Sequence, residues 1–246
     1  MNFADLVSPS TALFLDFDGT LVDLAEQPHL VVVPAGLVKT LDAMAGHLSG
    51  ALAVVSGRPI GQLDDFLRPL QCPAAGVHGA ERRGADGQTT LLATEPLDEV
   101  ERAARALAAQ HAGLLVEAKR GSVALHYRQA PELEALCLAT LQVVAAAPGL
   151  ALLHGKMVLE VKPAGVSKGR AIEDFMREAP FAGRTPVFVG DDVTDEAGFA
   201  SVQGLGGVGV KIGPGQTLAT HRIDSPQQFR HQLGELAAAR TGQVGA

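Results

Sequence analysis

Three short apolar runs, each ending in a polar cluster, constrain this chain more than any other feature. Thr11 to Phe17 (TALFLDF) ends in Asp18-Gly19, Gly50 to Val55 (GALAVV) leads into Ser56-Gly57-Arg58-Pro59, and Pro186 to Val189 (PVFV) leads into Gly190-Asp191-Asp192. A strand that is apolar at nearly every position has no solvent face, so it must be covered on both sides. Helical spacing lies between the runs, as in Pro34 to Leu48, where Leu37, Leu41, Met44 and Leu48 recur on one face. Strands alternating with helices predict an α/β fold, a Rossmann-like doubly wound parallel sheet. In such sheets ligands bind beyond the carboxyl ends of the strands, which is where all three polar clusters fall.

The middle of the chain has a different rhythm. An Ala-rich helical pattern from Leu97 to His111 precedes two alternating strands, Leu114 to Lys119 and Ser122 to Arg128, joined at Arg120-Gly121 in the manner of a tight hairpin. The order then repeats: a helix over Pro131 to Ala147, then strands over Leu150 to His154 and Met157 to Lys162 around Gly155-Lys156. This predicts a small antiparallel sheet with helices on one face, inserted at 88–163 between the two parts of the core, 1–87 and 164–246. Linkers are expected at Gly84 to Thr90 and Pro163 to Gly165. The remainder returns to the first rhythm, with a helix from Lys168, a glycine-rich strand near Val208 to Ile212, and a last helix capped by Ser225 with Pro226 in its first turn. A chain of 246 residues accommodates a core of this kind plus one smaller unit.

Composition excludes several functions. A formal charge of −7 provides no basic field for nucleic acid or anionic lipid. An anionic substrate must then be drawn by local groups or a metal. No stretch reaches the roughly 18 apolar residues of a membrane span, and the first ten residues lack the features of a signal peptide, so the cytoplasm is the expected location. Cys72 and Cys137 have no metal-ligand spacing and read as packing residues. The chain is expected to act as a monomer on a small molecule.

Asp16 and Asp18 lie two apart at a strand end, so an extended backbone aims both carboxylates into one crevice. Like charges this close repel, and a divalent cation relieves the repulsion. Two or three carboxylates with waters suit Mg2+, which also binds substrate phosphate. Asp191 supplies a further carboxylate from a second strand end. Lys168, at a helix start, can neutralise a carboxylate nucleophile and an approaching phosphoryl oxygen, while Ser56 offers a hydroxyl and backbone N–H groups. A calcium loop is the rival reading of Asp-x-Asp-Gly, but an EF-hand needs another acidic or amide ligand before its glycine and a distal Glu in register, and here Leu21-Val22 intrude.

Separately each piece is weak, and their order carries the weight. Asp16-Phe17-Asp18-Gly19-Thr20 after the first strand, Ser56-Gly57-Arg58 after the next, Lys168-Gly169 before a helix, and Gly190-Asp191-Asp192-Val193-Thr194-Asp195-Glu196 after a later strand together resemble the haloacid dehalogenase superfamily. The resemblance spans essentially the whole chain. It implies a C2-type α+β cap on the core and a phosphatase in which Asp16 attacks phosphorus to form an aspartyl-phosphate. Asp18 would protonate the departing sugar oxygen and then deprotonate the hydrolytic water. Mg2+ would sit among Asp16, the backbone carbonyl of Asp18 and Asp191, with Asp192 and Asp195 orienting these ligands and Lys168.

The inserted unit should select the substrate. Alternation places Ser122, Ala124, His126 and Arg128 on the face opposite Val123, Leu125 and Tyr127, and likewise separates Glu117 and Lys119 from Val116 and Ala118. One face therefore gathers Glu117, Lys119, Ser122, His126, Arg128 and Glu160, acids and bases suited to sugar hydroxyls. With no Trp and one Tyr, recognition would rest on hydrogen bonds more than on ring stacking. This arrangement resembles the trehalose-6-phosphate phosphatases. The matching runs are Val77-His78-Gly79-Ala80-Glu81, Glu117-Ala118-Lys119 through Arg128, Lys156 to Pro163, and Gly190 to Glu196.

That resemblance implies that Glu117, Lys119, Arg128 and Glu160 contact the two glucose units and that His78 and Glu81 line the core side of the cleft. Gly57, Arg58, Ser122 and His126 join the expected substrate-binding set. Many members carry Asn-His-Gly where this chain has Val77-His78-Gly79. The implied reaction is hydrolysis of trehalose 6-phosphate to trehalose and phosphate. Alternatives are a phosphatase of sucrose 6-phosphate or mannosyl-3-phosphoglycerate, a sugar phosphomutase of the same superfamily, and a non-catalytic sugar-phosphate sensor.

Overall fold

The computed structural model describes residues 3–25, 27–91, 97–119, 121–155 and 157–241, without the side chains of Pro28, Lys119 and Thr241. Arg120 and Lys156, where the two hairpin turns of the inserted segment are expected, lie outside the described residues. The chain divides into two compact units, one formed by Met1–Thr90 with Ser167–Ala246 and the other by Leu91–Val166. The first stretch carries β1 (Thr11–Leu15), α1 (Leu37–His47), β2 (Leu52–Val55), α2 (Ile60–Leu67), β3 (Ala74–Gly76), β4 (Glu81–Arg83) and β5 (Thr89–Leu91). The middle carries α3 (Asp98–Gln110), β6 (Leu115–Lys119), β7 (Ser122–His126), α4 (Glu134–Ala145), β8 (Leu150–Gly155) and β9 (Val158–Pro163). After it come α5 (Lys168–Phe175), β10 (Thr185–Gly190), α6 (Glu196–Gly204), β11 (Val208–Ile212), β12 (His221–Ile223) and α7 (Pro226–Thr241).

The core sheet runs β12-β11-β10-β1-β2-β3-β4-β5. It is parallel from β12 to β3 and turns antiparallel between β3 and β4. Every residue of β1 is buried, as a central strand covered on both faces requires. Phe14 of β1 packs against Phe175 of α5 and Phe181, with ring centroids 5.9 and 5.3 Å away, and the alternation of the strand turns Leu13 and Leu15 to the opposite face. α5 packs with α6 and α1 with α7. Burying each such Phe or Leu is worth about 1.5–3 kcal/mol, so these apolar runs supply most of the reason the sheet forms. Ser225 caps α7 as expected, its Oγ accepting the Gln228 N–H at 3.2 Å.

The second unit is a four-stranded antiparallel sheet in the order β6-β7-β9-β8. Val123, Leu125, Leu159 and Val161 form its apolar face and bury against Val100, Ala104 and Leu107 of α3 and Cys137 and Leu141 of α4. β7 ends at His126, so Tyr127 and Arg128 follow the strand instead of completing it. Tyr127 still joins the apolar cluster, its hydroxyl donating to Glu134 Oε1 at 2.9 Å, whereas Arg128 is exposed. Both cysteines are buried free thiols, and burial pushes Cys72 up to about 11, which leaves it an unreactive packing group. Among the described residues no helix is long and apolar enough to cross a membrane.

Candidate active site

The core site forms where β1, β2 and β10 end. Asp16 follows the last residue of β1, and its N–H donates to the Val189 carbonyl of β10 at 2.9 Å, which places it at the sheet edge in line with Asp191 after β10. Lys168 opens α5, whose N-cap Ser167 accepts the Arg170 N–H at 3.1 Å. A lysine at a helix N-terminus is disfavoured by the dipole. Here two carboxylates compensate, because Nζ donates to Asp16 Oδ1 at 2.7 Å and to Asp195 Oδ1 at 2.6 Å, with all three side chains at most 4% exposed. The other oxygen of Asp195 accepts the N–H groups of Asp191 and Asp192, both at 2.9 Å. Asp195 thus orients Lys168 and pins the backbone of Asp191. Asp192 is exposed and caps the turn into α6, its side chain accepting the Val193 N–H at 2.7 Å.

Carboxylate oxygens of Asp16, Asp191 and Asp195 lie within 4.8 Å of one another, a group able to hold a metal ion. The hydrogen bonds narrow that set. Asp195 has both oxygens engaged, whereas Asp191 Oδ1 is buried with no hydrogen-bond partner and Asp16 offers the oxygen that Lys168 Nζ does not take. An orphaned buried carboxylate oxygen in a cluster whose acids outnumber its lysine fits a hard divalent cation. Gly19 belongs to the same packing: it sits at φ +78°, and a Cβ there would lie 2.1 Å from Asp191 Oδ2.

The electrostatics reflect this crowding. Burial pushes the Asp16 carboxyl well above the usual range; Lys168 draws it back, and Asp195 and Asp191 add to the rise. Burial by itself would lower Lys168, but Asp16 and Asp195 outweigh it and hold the ammonium above its ordinary value. Burial also raises Asp191, to about 6, with Asp195 adding to the rise and a hydrogen bond from Asp16 opposing it. The folded value stands above the ordinary 3.8, so this group's contribution to the stability of the metal-free protein is fully present below that value and is lost as pH rises through about 6. Asp191→Asn in a chelator is therefore expected to stabilise the protein above neutral pH by about 1–2 kcal/mol, after discounting for partial exposure, with the gain vanishing near pH 4. Urea unfolding at the two pH values checks this, and a variant less stable than the parent above neutral pH contradicts it.

The other predicted core residues lie on the segments that follow β2 and β3. Ser56 follows β2 and is buried; its N–H donates to the Ala75 carbonyl at 2.8 Å, and its Oγ accepts the Arg58 N–H at 3.1 Å. Arg58 directs its side chain to Asp18, donating from Nε and Nη2 at 2.6 and 2.7 Å. His78 packs over Gly57, where a Cβ would come within 2.7 Å of its ring. The backbone is left-handed at Val77 (φ 49°) and His78 (φ 56°), a conformation unusual for a β-branched residue and easier for an asparagine at the first position. Glu81 is buried, and Oε2 accepts the Ile60 N–H at 2.9 Å, so this carboxylate serves the N-terminus of α2.

Sequence reasoning missed Lys211. It is buried on β11, and its Nζ donates to the backbone carbonyl of Asp191 and, at 3.3 Å, to that of Ile212. A lone lysine within the otherwise apolar run Val208-Gly209-Val210-Lys211-Ile212 was the available signal.

In the second unit, register puts Glu117, Ser122, His126 and Glu160 on one face, whereas Arg128 lies beyond the end of β7 and is not placed by it. Glu117 pairs with Ala124 and Ala124 with Glu160, which puts the two acids in one row across three strands. Ser122 Oγ donates to Glu160 Oε1 at 2.5 Å, and His126 Nε2 lies 3.2 Å from Glu117 Oε2. Lys119 ends β6 opposite Ser122 in the register.

Comparison with known proteins agrees with this geometry. The family model for trehalose-phosphatase matches residues 14–227. A trehalose-6-phosphate phosphatase of Escherichia coli is 47% identical over 220 residues, covering 88% of this chain and 83% of that protein. A probable trehalose-phosphate phosphatase of Sinorhizobium fredii is 47% identical over 206 residues, covering 82% and 78%. Among solved structures, a trehalose-6-phosphate phosphatase related protein superposes with a TM-score of 0.78 at 25% identity, over 95% of this chain and 100% of that one. The C-terminal domain of the Candida albicans trehalose-6-phosphate phosphatase gives 0.80 at 22% identity, over 94% and 93%, and bears on the fold alone. The matched span runs from β1 to α7 and takes in the whole Asp16, Lys168, Asp191 and Asp195 cluster, so this chain belongs to the trehalose-phosphatase family.

Proposed function

We propose that this protein hydrolyses trehalose 6-phosphate to trehalose and inorganic phosphate through an aspartyl-phosphate on Asp16. The observation that carries the reading is the buried Asp16–Lys168–Asp195 chain at the sheet edge, with an orphaned Asp191 oxygen beside it. Asp16 attacks phosphorus, the bond from phosphorus to the sugar oxygen breaks, and that oxygen takes a proton from Asp18. Water then attacks the aspartyl-phosphate and gives a proton to Asp18, and phosphate departs with Asp16 restored. Lys168 faces the developing negative charge, and Ser56 supplies its hydroxyl to the phosphoryl oxygens.

Mg2+ is the cation whose hardness and coordination suit the donors offered by Asp16, Asp191 and the backbone carbonyl of Asp18; when bound it neutralises phosphoryl charge. Asp195 and Asp192 support this set by fixing the Asp191 loop and Lys168. The inserted segment, 88–163, selects the sugar through Glu117, Lys119, Arg128 and Glu160. Ser122 and His126 orient the two acids, and Gly57, His78 and Glu81 shape the core side. The test is phosphate release from a panel of sugar phosphates in Mg2+. Trehalose 6-phosphate is expected to be turned over fastest; equal or better turnover of sucrose 6-phosphate or mannosyl-3-phosphoglycerate would overturn the substrate assignment.

A further inference from the structure

We propose that Arg58 is a positioning residue for Asp18, aiming the acid–base carboxylate by a fork of two hydrogen bonds; this rests on the reading of Asp18 given above. The fork is short at both prongs, 2.6 Å from Nε to Oδ2 and 2.7 Å from Nη2 to Oδ1. Of the two partners, Arg58 is the fixed one. It is buried, and its guanidinium lies 4.9 Å from the centroid of the Phe66 ring and 5.7 Å from that of Phe17. Nη1 is within 3.5 Å of Gln62 Oε1. Its backbone is held at both ends, the N–H by Ser56 Oγ and the carbonyl by the Val77 N–H.

Asp18 has less to hold it. It stands on the loop after β1 with its side chain 31% exposed, next to a glycine in a left-handed conformation. Without the fork the carboxylate is free to turn toward solvent.

A carboxylate has about four acceptor sites, and a bidentate arginine uses one on each oxygen. The sites left over point in directions that the guanidinium plane dictates. These are the sites that must meet the sugar oxygen as its bond to phosphorus breaks, and later the attacking water. Arg58 in this arrangement spends Nε and Nη2 on Asp18 and does not present them to phosphate. A phosphate-binding role, which its place beside Ser56 suggests from sequence, would require the fork to open.

The two roles separate by leaving group. A sugar alkoxide needs a proton to depart, whereas p-nitrophenolate does not. First-turnover release of each leaving group, from trehalose 6-phosphate and from p-nitrophenyl phosphate, is measured for the parent, Arg58→Met, Arg58→Lys and Asp18→Asn, with inhibition by inorganic phosphate alongside. Arg58→Met is expected to slow sugar release at least about tenfold more than nitrophenolate release, part of the 10²–10⁴-fold that a general acid contributes, and to leave phosphate inhibition in place. Asp18→Asn sets the full ratio that Arg58→Met should approach.

Arg58→Lys keeps the charge and most of the stacking, guards against a folding defect in the Met variant, and should show the same bias because an ammonium cannot form the fork. A parallel fall with both leaving groups, together with weakened phosphate inhibition, makes Arg58 a phosphate ligand and overturns the proposal. If the parent fails on trehalose 6-phosphate, the substrate assignment is at fault, and the same ratio measured on the best sugar phosphate of the panel still decides the role of Arg58.

Discussion

Asp16→Asn is expected to cut turnover of the preferred sugar phosphate by roughly 10⁴-fold or more, while leaving the protein folded and no less stable in the absence of metal. The two halves of this expectation have different causes. The amide of asparagine cannot form the acyl-phosphate, so the step that every later step depends on is lost. Stability survives because Asp16 sits in an overcrowded acid cluster: burial, Asp195 and Asp191 all push its carboxyl up, with Lys168 opposing them. Removing one negative charge relieves that crowding, and Lys168 keeps Asp195 at 2.6 Å. Steady-state kinetics and urea unfolding in a chelator read the two halves. Activity within tenfold of the parent would remove Asp16 from the role of nucleophile.

How much of this could be read in advance depends on where the signal lies. The runs that became β1, β2 and β10 are apolar throughout, and that property alone implies a buried parallel sheet with polar loops at its edge. The short strands at the sheet margins carry no such pattern. β4 is Glu81-Arg82-Arg83, β5 is Thr89-Thr90-Leu91 and β12 is His221-Arg222-Ile223, so three residues of mixed polarity fall below any periodicity. β5 lies in a stretch whose composition reads as linker.

The site divides in the same way. Asp16, Lys168 and Asp191 could be placed together because each follows or begins an element that ends at the same sheet edge. The fork between Arg58 and Asp18 could not, since it joins positions 40 apart through side-chain directions that spacing does not encode. The bond from the Ile60 N–H to Glu81 was equally out of reach, since it joins a motif residue to the start of α2, 21 positions away. In the second unit, alternation correctly separates the two faces because strict period-two patterning survives pairing. The end of β7 at His126 was not readable, since Tyr127 continues the apolar alternation while the ladder stops.

Lys168→Met should do what Asp16→Asn does not, abolishing turnover and also destabilising the fold. Its ammonium is the counter-charge to Asp16 and Asp195 in a site where all three side chains are almost wholly enclosed. Taking it away leaves two buried carboxylates facing each other, and breaking a buried pair from one side costs about 3–5 kcal/mol because the remaining charge is uncompensated. The loss should be smaller in Mg2+ than in a chelator, since the proposed binding of the cation by Asp16 and Asp191 would restore part of the missing positive charge. Combining Lys168→Met with Asp16→Asn tests the cause directly. If the damage comes from uncompensated charge, the double variant recovers a large part of the stability lost by Lys168→Met and none of the activity, a coupling of the size expected for residues in direct contact. A Lys168→Met protein that unfolds within about 1 kcal/mol of the parent in a chelator would mean that the three buried groups carry less charge than their geometry demands.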